Sequence, residues 1–150
     1  MTPYNADEIV LNTFWVQPDD ISGMNSLMCQ GFMFDGTDVV GSTPEQVVAN
    51  GVEAMQILYG EASAPLTGSR NRNINRYVPA PVDPDAPTAN EVQNWSQVYA
   101  VKVSILTRSL TEVTNNDTLR RYVLANASPY DMTDSVNRQV FTTTFAISNY

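Results

Sequence analysis

The stretch VVANGVEAMQILYGE, Val47–Glu61, can be read with two different periods, and the choice decides the fold. Val48, Val52, Met55 and Tyr59 share one face at helical spacing, whereas Glu53, Met55, Ile57 and Tyr59 alternate as a strand does. Just upstream, Thr43-Pro44-Glu45-Gln46 has the form of a helix start, with a capping threonine, proline at the first helical position and glutamine three residues after the cap. Gly51 would sit in the interior of a single long helix and weaken it. The balance predicts a short helix from Pro44 to Asn50 and a strand from Gly51 to Tyr59.

Around this stretch the signal is of β type. Ile9–Val16 (IVLNTFWV) is apolar, with β-branched and aromatic members, and stops at Pro18-Asp19-Asp20. Ser26–Phe34 reads as a second strand with Gly31 as a bulge, followed by a turn over Asp35-Gly36-Thr37-Asp38. Gly60–Gln93 is rich in proline and asparagine, and is expected to be a long excursion with at most a short strand at Arg76–Val78. Beyond it, Tyr99, Val101, Val103 and Ile105 alternate with Ala100, Lys102, Ser104 and Leu106. RRYVLANA (Arg120–Ala127) reads as a further β segment. In RQVFTTTFAISNY (Arg138–Tyr150), Phe141, Thr143, Phe145 and Ile147 alternate with Val140, Thr142, Thr144 and Ala146. Three antiparallel strands over a helix would bury one of those faces, and Phe141 is placed on the buried one. The expected fold class is α+β: a mainly antiparallel sheet with a short helix and long loops, forming one domain over residues 1–150.

Composition excludes several functions. There are 8 basic and 16 acidic residues, for a formal net charge of -8, so phosphate backbones and anionic headgroups are repelled over most of the surface. Direct nucleic-acid binding is not expected. Lys102 is the only lysine and histidine is absent, which removes the usual general base and the commonest metal ligand. No apolar run approaches the length of a membrane span, and the start MTPYNADEIV lacks the basic and apolar regions of a signal peptide.

Candidate chemistry is correspondingly thin. Serines and Cys29 have no activating partner at a nucleophile–base spacing. Asp19, Asp20, Glu53, Glu61, Asp83 and Asp85 could supply a carboxylate pair of the hydrolase type, but acidic residues in proline- and glycine-rich loops are usually solvated. The oxygen-rich loops Asp35–Asp38 and Asp83-Pro84-Asp85 fit hard cations in ligand type and lack the EF-hand spacing. Arg70, Arg72 and Arg76 form the one basic cluster, either a partner-contact loop or a solvated one. Asn94, Asn116 and Asn126 head N-x-S/T tripeptides, which matter only in a eukaryotic secretory pathway. No catalytic residue, cofactor or metal site is expected. Cys29 cannot form an internal disulfide, being the single cysteine, and is either a buried thiol or half of a bond whose partner lies outside this segment.

Val52-Glu53 with Tyr59-Gly60, then Trp95 with Val98–Leu106, then Arg138–Thr144 (RQVFTTT) follow one another in an order that resembles the soluble domain of type IV pilus minor pilins of the PilW class. The J-type minor pseudopilins of type II secretion have a similar layout. Val52, Glu53, Tyr59, Gly60, Trp95, Val101, Arg138 and Phe141 carry the match and read as scaffold. The resemblance implies an N-terminal membrane helix outside this segment, a Cys29 partner nearer that helix, and residence in the bacterial inner membrane facing the periplasm, then at the pilus tip. It also implies a role: initiating and capping pili through contacts with other minor pilins, and with a tip adhesin where one is carried. The rival readings are an exported adhesin using the 60–93 loop, a type II secretion pseudopilin, and a carboxylate-based hydrolase.

Overall fold

The computed structural model describes residues 9–19, 23–62, 73–113 and 118–148. Ten strands account for nearly all of its regular structure: β1 (Ile9–Pro18), β2 (Asn25–Phe34), β3 (Val39–Ser42), β4 (Gln46–Asn50), β5 (Val52–Ala62), β6 (Ile74–Val78), β7 (Val98–Arg108), β8 (Arg120–Tyr122), β9 (Tyr130–Met132) and β10 (Arg138–Ala146). The one helical element among the described residues is a 3-10 turn at Trp95–Gln97. The fold is therefore a mostly antiparallel β fold with almost no helix, and the expected helix at Pro44–Asn50 is corrected to a strand.

Local chemistry explains that correction. The Thr43 hydroxyl, expected to cap a helix, instead accepts the N–H of Gly31 at 2.9 Å, and the Thr43 N–H donates to the Gly31 carbonyl at 2.9 Å. Both capping groups are thus committed across to β2. Val47 and Val48 are β-branched and prefer an extended chain, and β4 pairs with β2 from Ser26↔Asn50 to Cys29↔Gln46. Gly51 breaks the run as expected, because its φ of +75° belongs to the left-handed region.

By contact density the chain divides into two compact units. The first comprises residues 1–54, 107–116 and 135–138. In it β2 pairs with β1 in an unbroken register from Ile9↔Phe34 to Pro18↔Asn25, and its other edge is shared by β3 and β4. Register shifts occur at Leu27/Met28 and Met33/Phe34, not at Gly31. Gly31 is small for another reason: a Cβ there would stand 3.2 Å from the Asn12 side chain and 3.4 Å from the Thr43 hydroxyl. Gly51 donates to the Asn25 carbonyl at 3.0 Å and accepts from the Arg108 N–H at 2.7 Å, so one residue ties into two strands. The Arg138 side chain is only 3% exposed, and its Nη2 donates to Glu53 Oε1 at 3.0 Å while its Nε reaches Oε2. Arg108 Nη1 stands 3.7 Å from the same carboxylate.

The second unit, residues 55–106, 117–134 and 139–150, holds most of the sheet with strand order β10-β7-β5-β6 and the hairpin β8-β9. Side chains alternate, so two contacts fix the faces of this sheet. Ser104 is fully buried and its hydroxyl lies 2.9 Å from that of Thr142, which places Ala100, Ser104, Leu106 and Thr142 on one face. A Cβ on Gly60 would come within 3.1 Å of the Ala100 Cβ, so Leu58 and Gln56 share that face. It is the covered one: Gln56 hydrogen-bonds Asn126, and Leu58, Ala100, Leu106 and Leu124 are all buried. The opposite face carries Val101, Val103, Ile105, Phe141, Thr143 and Phe145. The alternation foreseen for β10 does not separate a buried from an exposed row: Thr142, Thr144 and Ala146 are exposed, as are Phe141, Thr143 and Phe145. Phe141 is 49% exposed where it was expected to be buried, because β10 is the edge strand of the sheet and no helix covers it among the described residues.

Two stability outcomes follow. Leu106→Ala should cost about 2–5 kcal/mol and Phe141→Ala under about 1 kcal/mol in the isolated chain, measured by chemical denaturation, since only Leu106 leaves a cavity. Gly51→Ala should cost more than the roughly 1–2 kcal/mol of a left-handed backbone, because the added Cβ would stand 2.8 Å from the Arg108 carbonyl oxygen. A neutral Gly51→Ala would contradict the conformation assigned to that turn.

Candidate functional site

Two regions have the surface chemistry to engage something else. One is the outward face of β7 and β10, half-buried along β7 and exposed along β10. Phe141 and Phe145 are 49% and 59% exposed, and with Val103, Ile105 and Thr143 they present a strip that carries no charge. Val103, Ile105, Phe141, Thr142 and Thr143 line a shallow depression of about 240 Å³. Near the start of β7, Tyr59, Trp95, Val98, Ile147 and Ser148 line a second one of about 260 Å³. Tyr59 and Trp95 meet there edge to face with ring centroids 4.9 Å apart. The Ile147 N–H donates to the Tyr99 carbonyl at 2.8 Å, so β10 stays paired with β7 this far along. Such a strip has little bond-making chemistry, and its value lies in apolar area that docking would remove from water.

The second region is polar, a cleft of about 430 Å³ lined by Glu61, Ala62, Asn75, Arg76, Gln93, Asn94 and Gln97. Glu61 is 4% exposed and its carboxylate is fully engaged. Arg76 Nε donates to Oε2 at 2.9 Å, with Nη2 on the same oxygen, while the N–H groups of Gln93 and Asn94 donate to Oε1 at 3.1 and 2.8 Å. Arg76 Nη1 also donates to the Ala89 carbonyl at 2.7 Å. This constellation ties the segment before β7 to β5 and β6. A carboxylate with both oxygens saturated is a poor general base, and an arginine spent on it is a poor partner contact.

The site residues read from the sequence, apart from Arg70 and Arg72, now have a place. Arg76 is turned inward onto Glu61, while Arg70 and Arg72 lie outside the described residues. Val52 is buried at the start of β5, and Glu53 and Arg138 form the ion pair described above. Gly60 has Tyr77, Ala100 and Ile74 against it, each within 3.2 Å of where a Cβ would be. Tyr59 and Trp95 form the ring pair, and Val101 and Phe141 lie on the outward face. Cys29 is half-buried in β2, opposite Phe14 of β1 and Gln46 of β4, as a free thiol.

The acidic loops are turns. Asp35 Oδ1 accepts from the N–H groups of Thr37 and Asp38 at 3.2 and 3.0 Å, and the Asp38 N–H above all holds this carboxyl below the usual range. Asp83 Oδ1 accepts the Asp85 N–H at 3.0 Å. Glu91 is likewise lowered, first by the Thr88 N–H and then by the Thr88 hydroxyl and the Val82 N–H. Asp131 is lowered by its paired hydrogen bonds from Arg121, directly opposite it in the β8–β9 hairpin. Among the described residues no three histidine, cysteine, aspartate or glutamate side chains stand together as a metal site.

The sequence reading missed the outward face as a site, although its signal was present. Phe141, Thr143, Phe145 and Ile147 are the most apolar row of the last strand, and they were assigned to a core the chain does not supply. No helix among the described residues is long and apolar enough to cross a membrane. No curated protein and no solved structure matches this chain. The family model for type IV pilus-assembly protein W does, over residues 13–149, and with nearly the whole chain matched the protein belongs to that family.

Proposed function

We propose that the chain is the globular part of a minor pilin that helps initiate and cap type IV pili by docking on other pilus subunits. Membership of the pilus-assembly family supplies the setting, the cell envelope. The uncharged strip from Val103 to Phe145 supports the role. In a chain of net charge -8, a strip without charge on the flank of the sheet is where like-charged acidic subunits can approach without repulsion. Burying two phenylalanines and their aliphatic neighbours gives such a contact an apolar centre. The apolar membrane helices of pilus subunits are the natural occupants. On this reading the protein works by assembly and carries no catalytic centre, and Cys29 takes up a partner cysteine outside this segment when the full-length protein is exported.

Deleting the gene in the source bacterium should reduce surface pili and pilus-dependent motility, leaving the major pilin made but poorly assembled. Full-length protein carrying Phe145→Asp should reach wild-type abundance and fail to restore piliation, counted by electron microscopy, because it puts a charge into the dry centre of the contact. Full restoration by Phe145→Asp, in a strain without a second copy, would remove the strip from the assembly mechanism.

A further inference from the structure

β1 ends its sheet with an edge that is open in an unusual way. Its only partner among the described strands is β2. The Asp19 N–H donates to the Met24 carbonyl at 2.8 Å, continuing the register in which Ile9 faces Phe34. Directly bonded residues alternate along an antiparallel strand. Gln17, Trp15, Thr13, Leu11 and Ile9 therefore bond to β2, while the N–H and C=O groups of Val10, Asn12, Phe14 and Val16 point away from it. Pro18 falls on an outward position, the place in a sheet where a missing N–H costs nothing.

Natural edges of this length are normally blunted by lysine, proline, a bulge or an inward charge. From Ile9 to Gln17 β1 has none of these. The first half of β1 is largely apolar and exposed on both faces, with Ile9 and Leu11 62% and 47% exposed on one and Val10 and Phe14 54% and 51% on the other, while Thr13, Trp15, Val16 and Gln17 are half-buried. Alternating outward donors and acceptors can be satisfied in full only by another extended chain. That chain must be uncharged and apolar on both faces, and β1 is itself such a strand.

We propose that β1 pairs antiparallel with β1 of a second copy of this chain across a two-fold axis at Thr13. In this register Val10 meets Val16 and Asn12 meets Phe14, so all four outward residues of each copy are bonded. Leu11 then lies beside Trp15 and Thr13 beside its own symmetry mate. This is the isologous arrangement a two-fold dimer requires, in which each contact is made twice. Opposed threonines and aliphatic–aromatic neighbours are favourable cross-strand pairs. A single strand-to-strand seam is smaller than a standard interface, so the association is weak and concentration-dependent. The inference is independent of the pilus reading, because it rests on the edge alone.

Sedimentation equilibrium of the purified chain should show a reversible dimer, with monomer mass recovered on dilution. Phe14→Ala, which keeps the outward N–H, should leave most of the dimer, whereas Phe14→Pro, which removes it, should weaken association about tenfold or more while the circular dichroism stays unchanged. Should Phe14→Pro misfold, the axis supplies a second test. Thr13→Lys and Thr13→Glu should each be monomeric alone, through like charges opposed at the axis, and should form a mixed dimer when combined. A wild-type chain that stays monomeric to about 1 mM overturns the proposal, as does a lysine–glutamate mixture that fails to associate. Equal loss in Phe14→Ala and Phe14→Pro overturns it too, since that result assigns the contact to side chains and not to the edge.

Discussion

The interaction on which the sheet's organisation depends is made by the carboxylate of Glu53, 13% exposed and paired with the buried Arg138 side chain. It takes two hydrogen bonds from Arg138 and has Arg108 beside it, so one anion on β5 holds the end of β7 and the beginning of β10. A buried pair of this kind adds little net stability over an apolar replacement, but losing one partner is costly because the other charge stays behind. Its contribution is therefore alignment. Two residues from Glu53, Gly51 bonds Asn25 on one side and Arg108 on the other in a backbone conformation that disfavours a side chain. The glycine that interrupts the sequence pattern and the ion pair thus act on the same crossing point, where the chain leaves one sheet and enters the next. Ordering three strand ends with one carboxylate spares the chain a larger apolar core there, and the first unit is correspondingly poor in buried hydrophobic side chains.

Much of the strand content was legible because its signal is local. The alternation read over Tyr99–Leu106 and within Arg138–Tyr150 is a period of two carried by β-branched and aromatic residues; the first became the strand Val98–Arg108, and the second became a strand that stops at Ala146, short of the expected end. Ile9–Val16 and Ser26–Phe34 came through for the same reason. Pro44–Asn50 did not, and the reason is non-local. Its capping threonine faces Gly31, twelve residues away, and a bond across strands took the hydroxyl that a helix start would have used. Val39–Ser42 and Tyr130–Met132 are too short for a period to show. The Glu53–Arg138 pair spans 85 residues, so nothing local in the sequence joins the two.

The candidate surface was illegible in a more instructive way. Periodicity says which residues share a face and nothing about which face is covered. In β10 the phenylalanines and the threonines both form rows, and the usual inference gives the core to the more apolar row. Here neither row is the inner one: Thr142 bonds the fully buried Ser104 yet is itself exposed, as are Phe141 and Phe145. An assignment by hydrophobicity fails at a sheet edge that no other described element covers. An exposed apolar row there suits the docking proposed for a member of a pilus-assembly family.

The polar features argue the same way. Glu61, Arg76 and Glu91 would be the obvious residues for a chemical site, being carboxylates and a guanidinium lining or flanking the polar cleft. Each is instead consumed in fixing the segment that follows β6: Glu61 accepts from two backbone N–H groups there, Arg76 donates to a carbonyl, and Glu91 accepts from Thr88 and Val82. Groups used to pin a loop have few free lone pairs or protons to offer a substrate. These three charged residues thus stabilise an irregular segment, while Val103, Ile105, Phe141 and Phe145 on the face of β7 and β10, and the strand β1, carry no charge. Uncharged apolar strips and an open edge are the features that the proposed docking and strand pairing would use.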